Sequence, residues 1–183
     1  MIPSHRRIKK PITMVVLDNL VRRIDSFTES SGRLLAWLCL CMALLTSLVV
    51  VLRYGFSWGH IAMQETVIYM HGCLFMLGAA YTLKHNEHVR VDIFYRQFTP
   101  RTRAWVNSIG GIVFLLPLCV YLLGASWDYV TESWLVRESS AEPGGIPAVF
   151  LLKTLLPLLA INLALQGLAE ILRAMLFLIG DDG

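Results

Sequence analysis

Apolar residues in this chain come in long runs, unlike the alternation of a strand or the one-sided stripe of a soluble helix. From Leu34 to Leu52 only Thr46 and Ser47 are polar. As a helix that run reaches roughly 28 Å, close to the thickness of a bilayer's hydrocarbon core. A second run goes from Ile61 to Leu83 and carries Gln64, Glu65 and His71; a third, from Ala104 to Ala125, is interrupted by Asn107, Ser108 and Pro117. The fourth begins near Ile146 and ends near Ile171, with Lys153, Pro157, Asn162 and Gln166 inside it. The pattern predicts an all-α integral membrane protein with four transmembrane helices, at about 34–52, 61–83, 104–125 and 146–171. Residues 34–173 then form the transmembrane domain, and residues 174–183 a tail or an extension of the fourth helix.

Ahead of the first run the pattern changes. Leu17, Leu20, Val21, Ile24 and Phe27 recur at helical spacing, while Asp18, Asn19, Arg22, Arg23 and Asp25 take the opposite face. Such a stripe suits an amphipathic helix lying in the membrane interface, within an N-terminal arm over 1–33. In the loop after the second run, Thr99-Pro100 reads as an N-cap followed by proline at the first helical position, launching the third span with Trp105 at headgroup level.

Composition agrees. Hydrophobic residues make up 56% of the chain and charged residues 16%, with a mean hydropathy of +0.60. A soluble domain keeps about a quarter of its residues charged, so the deficit points to lipid. No basic face remains for nucleic acid once the spans are set aside. The charged start imitates a secretory leader, but the apolar run begins late, outlasts an h-region and lacks an A-x-A site, so a retained helix is expected.

Lysine and arginine placement sets the expected orientation. Seven precede the first span, and Lys84, Arg90, Arg96, Arg101 and Arg103 follow the second. The other side holds Arg53, Arg137 and Lys153, beside Asp128, Glu132, Glu138 and Glu142. Both termini and the middle loop are therefore expected in the cytoplasm.

Ionisable groups in a span are functional candidates by default. Glu65 lies about one turn from the outer end of the second span. A place at the interface or a pair with Arg53 is its structural reading, and a proton or sodium site its chemical one; the structural reading is preferred. His71 sits deeper. A haem would need axial ligands from two facing helices, and the other spans have no histidine, so a hydrogen bond to Asn162 or Gln166 is expected instead. Asn162 and Gln166 are four residues apart and share a face that should meet another helix. Gly72, Gly78, Ala79 and Ala80 permit close approach on the second span, Lys153 is expected to snorkel outward, and Pro117 and Pro157 each to interrupt a helix.

Cys39, Cys41, Cys73 and Cys119 all fall in apolar runs without a CxxC, so neither disulfide nor metal is expected. No nucleophile–base pair, phosphate loop or metal-ligand spacing is present, and no cofactor is expected. The chain reads as a non-enzymatic subunit, too thin in polar groups to carry an organic acid by itself. Two other classes compete: a self-assembling small transporter or channel using Glu65, and a redox membrane anchor.

The stretch Leu77-Gly78-Ala79-Ala80-Tyr81-Thr82-Leu83-Lys84, followed by His88-Val89-Arg90-Val91-Asp92, resembles the signature of the small membrane subunit of tripartite ATP-independent periplasmic (TRAP) transporters, the DctQ type. Arg53-Tyr54 closing the first span, Gln64-Glu65 opening the second, Arg101 and Arg103 before the third, Pro147 and Pro157 about the start of the fourth and Gln166-Gly167 near its end fit as well. The resemblance covers roughly 34–173. Many members carry a tryptophan and two consecutive acidic residues where this chain reads Ala62-Met63-Gln64-Glu65; Trp58 stands four residues earlier.

The resemblance implies a subunit of a sodium-coupled importer of small organic acids in the bacterial inner membrane. Its partners would be a large, DctM-type membrane subunit that carries the substrate and sodium sites by an elevator motion, and a periplasmic substrate-binding protein. The small subunit would enlarge the static scaffold and help dock the binding protein, with Glu138 and Glu142 as candidate docking acids. Arg53, Gln64, Glu65, His88, Arg90, Asp92, Asn162 and Gln166 would serve structure, the subunit interface or a lipid headgroup. His88, Arg90 and Asp92 alternate with Val89 and Val91, so an Arg–Asp pair could pin the turn, or Arg90 hold a phospholipid phosphate.

Overall fold

The computed structural model describes residues 12–87, 95 and 97–181, and the regular structure among them is helical. Helix α1 covers Ile12–Gly55, α2 Ile61–Lys84, α3 Pro100–Leu135 and α4 Val149–Asp181. All four are long and apolar enough to cross a membrane. Successive helices run antiparallel. The start of α1, the close of α2, the start of α3 and the close of α4 therefore share one end, called here the arm end; the 56–60 and 136–148 connections share the other, the hairpin end.

Helix α4 packs against each of the other three, α1 and α2 pack on one another, and α3 packs on α4. The buried apolar positions reflect that arrangement: Leu155, Ala160, Ala169 and Ile171 of α4 lie in the core with Ala80 of α2 and Leu35 of α1. Much of the remaining apolar surface faces outward, as expected where the solvent is lipid.

Local chemistry explains the helix boundaries. At the close of α2, Asn86 takes a left-handed conformation (φ 57°), a position asparagine tolerates, while the Glu87 N–H reaches back to the Thr82 carbonyl at 3.0 Å. At the start of α3, the Thr99 hydroxyl accepts the Thr102 N–H at 3.2 Å and Pro100 occupies the first turn, as the sequence predicts.

Neither internal proline ends its helix. Pro117 follows a π-helical turn over Gly111–Leu115, and α-helix resumes at Leu116–Leu135. Proline brings no N–H and crowds the carbonyl four residues back; the widened turn absorbs both defects within a continuous helix. Pro157 is buried inside α4, which continues past it.

The arm also differs from expectation. It is helical, but α1 passes through the expected boundary at 33/34 without a break, giving one helix of 44 residues. Val21 and Thr28 are buried, and Gly32 lies beneath the Tyr81 ring, where a Cβ would collide with ring carbons. The lower arm is therefore packed along α2 and α4. At the other terminus α4 continues past 171 to Asp181, the helix extension being one of the two readings the sequence leaves open there.

Candidate functional site

Polar chemistry gathers at the two ends of the bundle. Between them, no Asp, Glu, Lys or Arg falls within 34–52, 66–83, 104–127 or 154–169.

At the arm end, Gln166 is fully buried and every polar atom of its amide has a partner. The Thr28 hydroxyl donates to its Oε1 at 2.8 Å, and its Nε2 donates to Asp25 at 3.2 Å and to Glu170 at 3.1 Å. Arg173 closes the ring, placing one guanidinium nitrogen 2.6 Å from Asp25 and another 2.6 Å from Glu170. Beside it, Glu29 receives Lys84 at 2.7 Å, His85 at 3.0 Å and Arg33 at 3.0 Å, while Lys84 also donates to the Asp25 carbonyl. First, second and fourth helices are thus joined by a network with few unmet polar groups, the condition under which buried polar groups hold a unique arrangement.

Of this network, sequence reasoning singles out Gln166 alone. It placed Gln166 and Asn162 on a face that meets another helix, and Asn162 does donate to the Leu77 carbonyl of α2 at 3.1 Å. It missed Asp25, Thr28, Glu170 and Arg173. The available signal was Gln166-x-x-x-Glu170-x-x-Arg173, three polar groups on one stripe of an otherwise apolar helix.

At the hairpin end, Glu65 does not reach Arg53, whose side chain is exposed. Its carboxylate instead accepts the Ser140 hydroxyl and, at 2.5 Å, the Ile146 N–H. Backbone N–H groups in a loop are stationary donors needing no long side chain to be immobilised, whereas an exposed Arg53 pair would gain little. Glu138 accepts Ser133 at 2.6 Å and Lys153 at 2.5 Å, and the Lys153 ammonium lies 3.9 Å from the Tyr129 ring centre. Lys153 therefore carries its ammonium to the hairpin end, where it is held between Glu138 and Tyr129. The Trp134 indole donates to Thr154 at 2.8 Å, completing the attachment of α3 to α4. The 136–148 loop is folded on itself through Ser140 N–H to Ile146 carbonyl and Val149 N–H to Glu138 carbonyl.

The other expected site residues separate. His71 makes no bond to Asn162 or Gln166; it faces outward and stacks on Phe75, with centroids 6.3 Å apart. Asn162 and Gln166 are instead taken by nearer groups on α2 and α1. Gln64 and Glu142 are exposed, and Glu138 is half-buried. His88, Arg90 and Asp92 lie outside the described residues. The four cysteines are unpaired thiols, and no cluster of three or more His, Cys, Asp or Glu side chains that could hold a metal occurs among the described residues.

Comparison with known proteins adds the remaining findings. The family model described as tripartite ATP-independent periplasmic transporters, DctQ component, matches residues 42–177. A Vibrio cholerae protein named C4-dicarboxylate TRAP transporter small permease protein DctQ is 28% identical over 127 residues, 66% of this chain and 54% of the relative. A Haemophilus influenzae protein named putative TRAP transporter small permease protein is 33% identical over 86 residues, 47% of this chain and 53% of the relative. The matches thus span about half the length of each relative. No solved structure matches.

Proposed function

This chain belongs to the DctQ component family of TRAP transporters, and from that membership we propose that it braces a large membrane subunit of a sodium-coupled importer of small organic acids. The observation that carries the proposal is the family match across residues 42–177, which takes in the latter part of the first helix, all of the second and third, and most of the fourth. The side chains fit a brace. Charged groups tie helix ends together, and the mid-level of the bundle offers no chain of ionisable residues along which an ion would travel. Glu65, the candidate for an ion site, has its carboxylate occupied by Ser140 and Ile146.

The lysine and arginine bias supports both termini and the arm end facing the cytoplasm of a bacterial cell, with the protein in the inner membrane. The hairpin end then faces the periplasm. There, exposed Glu142 is a better docking contact for the substrate-binding protein than Glu138, which Ser133 and Lys153 engage. His88, Arg90 and Asp92 serve the cytoplasmic turn, against the large subunit or a phospholipid phosphate.

A tagged pull-down from mild detergent, with this chain coexpressed beside the neighbouring genes, tests the reading. The expected result is a one-to-one complex with a large multi-span partner. Recovery of a stable homo-oligomer alone would move the function to a self-assembling transporter. Within the complex, Arg90→Ala is expected to lower yield more than it changes substrate affinity; unchanged yield with altered affinity would remove Arg90 from the interface.

A further inference from the structure

We propose that the outward edge of α1 is a docking seam for one membrane-spanning helix of the large subunit, a helix that continues past the inner face of the bilayer. The inference rests on the brace reading above and goes beyond it by naming the surface. Val16, Leu20, Phe27 and Leu34 follow one another at intervals of four, seven and seven residues, so they share a face, and their exposures are 60%, 42%, 60% and 72%. The same spacing continues through exposed Trp37, Leu44, Leu48 and Val51. An apolar edge repeating every three and four residues is what a second helix packs against.

Within 34–52 lipid covers that edge as well as a protein would, so the decision falls on the arm. With the hydrocarbon edge set at Leu34, where the uncharged run begins, Leu20 stands fourteen residues outside it in an unbroken helix, roughly 21 Å away, and Val16 roughly 27 Å. The headgroup layer is only about 5–8 Å thick, and a tilt of about 40° still leaves Leu20 roughly 16 Å out. Lipid does not reach these residues. Nor can the arm lie down on the membrane, because Val21 is buried and Asp25 is held by Arg173 and Gln166. A soluble partner would cover the arm and stop at the headgroups. A helix that crosses the boundary covers the whole seam.

Beside the seam, a crevice of about 360 Å³ opens between α1 and α4, lined by Phe27, Leu34, Leu35, Leu77, Leu158 and Leu165. It is large enough for one bulky apolar side chain of the incoming helix. Exposed Arg23 interrupts the seam between Leu20 and Phe27, so the partner helix presents a carboxylate or a carbonyl at that level.

Photoreactive benzoylphenylalanine placed at Leu20 or Phe27, in the full complex in membranes, tests the assignment, with Phe114 and Tyr121 on α3 as comparison positions. Irradiation is expected to join Leu20 and Phe27 to the large subunit. Phe27→Glu, at an exposed position that leaves this chain's own core intact, is expected to reduce recovery of the large subunit about tenfold while the small chain stays at its usual level. If the complex is recovered but Leu20 and Phe27 join only lipid, a second copy or residues 1–11 of the same chain, the seam assignment is overturned. Adducts with the large subunit solely from Phe114 and Tyr121 would overturn it too. Failure to recover any large subunit with the unmodified chain would instead remove the brace reading on which the seam depends.

Discussion

Gln166 shows how one side chain organises an end of this molecule. Replacing it with leucine keeps the volume and removes three hydrogen bonds, leaving Thr28 buried beside an apolar surface. Gln166→Leu is expected to cost about 1–2 kcal/mol and to lower the thermal midpoint in detergent by several degrees. Asn162→Leu, which removes a single bond, should cost less; equal losses would mean that the network has no special weight. At the other end the same logic becomes pH-dependent. The Lys153 ammonium, and after it the Ser133 hydroxyl, hold the Glu138 carboxyl below the usual carboxylate range, against the opposing cost of desolvation. A carboxyl depressed in the folded state contributes its full stability above the unfolded pKa, about 4.3 for glutamate, and loses it as pH falls through the lower folded value. Thermal scans from neutral to acid pH should therefore show a drop below that range which Glu138→Gln flattens. Superimposable profiles would show that the Glu138 contact carries no weight.

At the scale of elements, close approach decides which substitutions matter. Gly32→Ala brings a methyl group into the Tyr81 ring and should separate α1 from α2, costing about 1–3 kcal/mol. Gly78→Ala meets nothing within 4 Å and should instead stabilise α2 by about 0.5–1 kcal/mol through helix propensity. Circular-dichroism melts of the two variants check the pair, and like-signed shifts would refute the packing of α1 on α2. These elements also show what the sequence could disclose. Length and hydropathy of the spans are local properties, so the four helices were legible, and so was the Thr99-Pro100 start of α3. The course of the arm was not. Its apolar stripe at 17, 20, 21, 24 and 27 matches a helix lying on a membrane as well as one packed upright, and only Asp25 and Thr28 meeting α4 distinguishes them. In the sequence Pro117 reads as a break because one-dimensional patterns contain no signal for a π turn. For Glu65 the sequence offers a place at the interface or a pair with Arg53, the nearest cation along the chain, whereas its partners come from a loop 75 and 81 residues later.

For the whole molecule, a brace predicts inactivity in isolation. Liposomes containing only this chain are expected to take up neither sodium nor organic acid beyond the protein-free background. Flux that disappears in Glu65→Gln would establish the small-transporter alternative. The network at the arm end has a further consequence, one of time. Thr28 and Asp25 emerge early from the ribosome, yet Gln166 follows them by 138 and 141 residues. At about 5–20 residues per second, roughly 7–30 s pass before the last helix supplies their partners. Throughout that interval the first helix is threaded and waiting, its polar groups open to whatever insertion machinery or protease is at hand. A nascent chain stalled anywhere short of residue 166 leaves Thr28 and Asp25 without these partners for as long as the stall lasts.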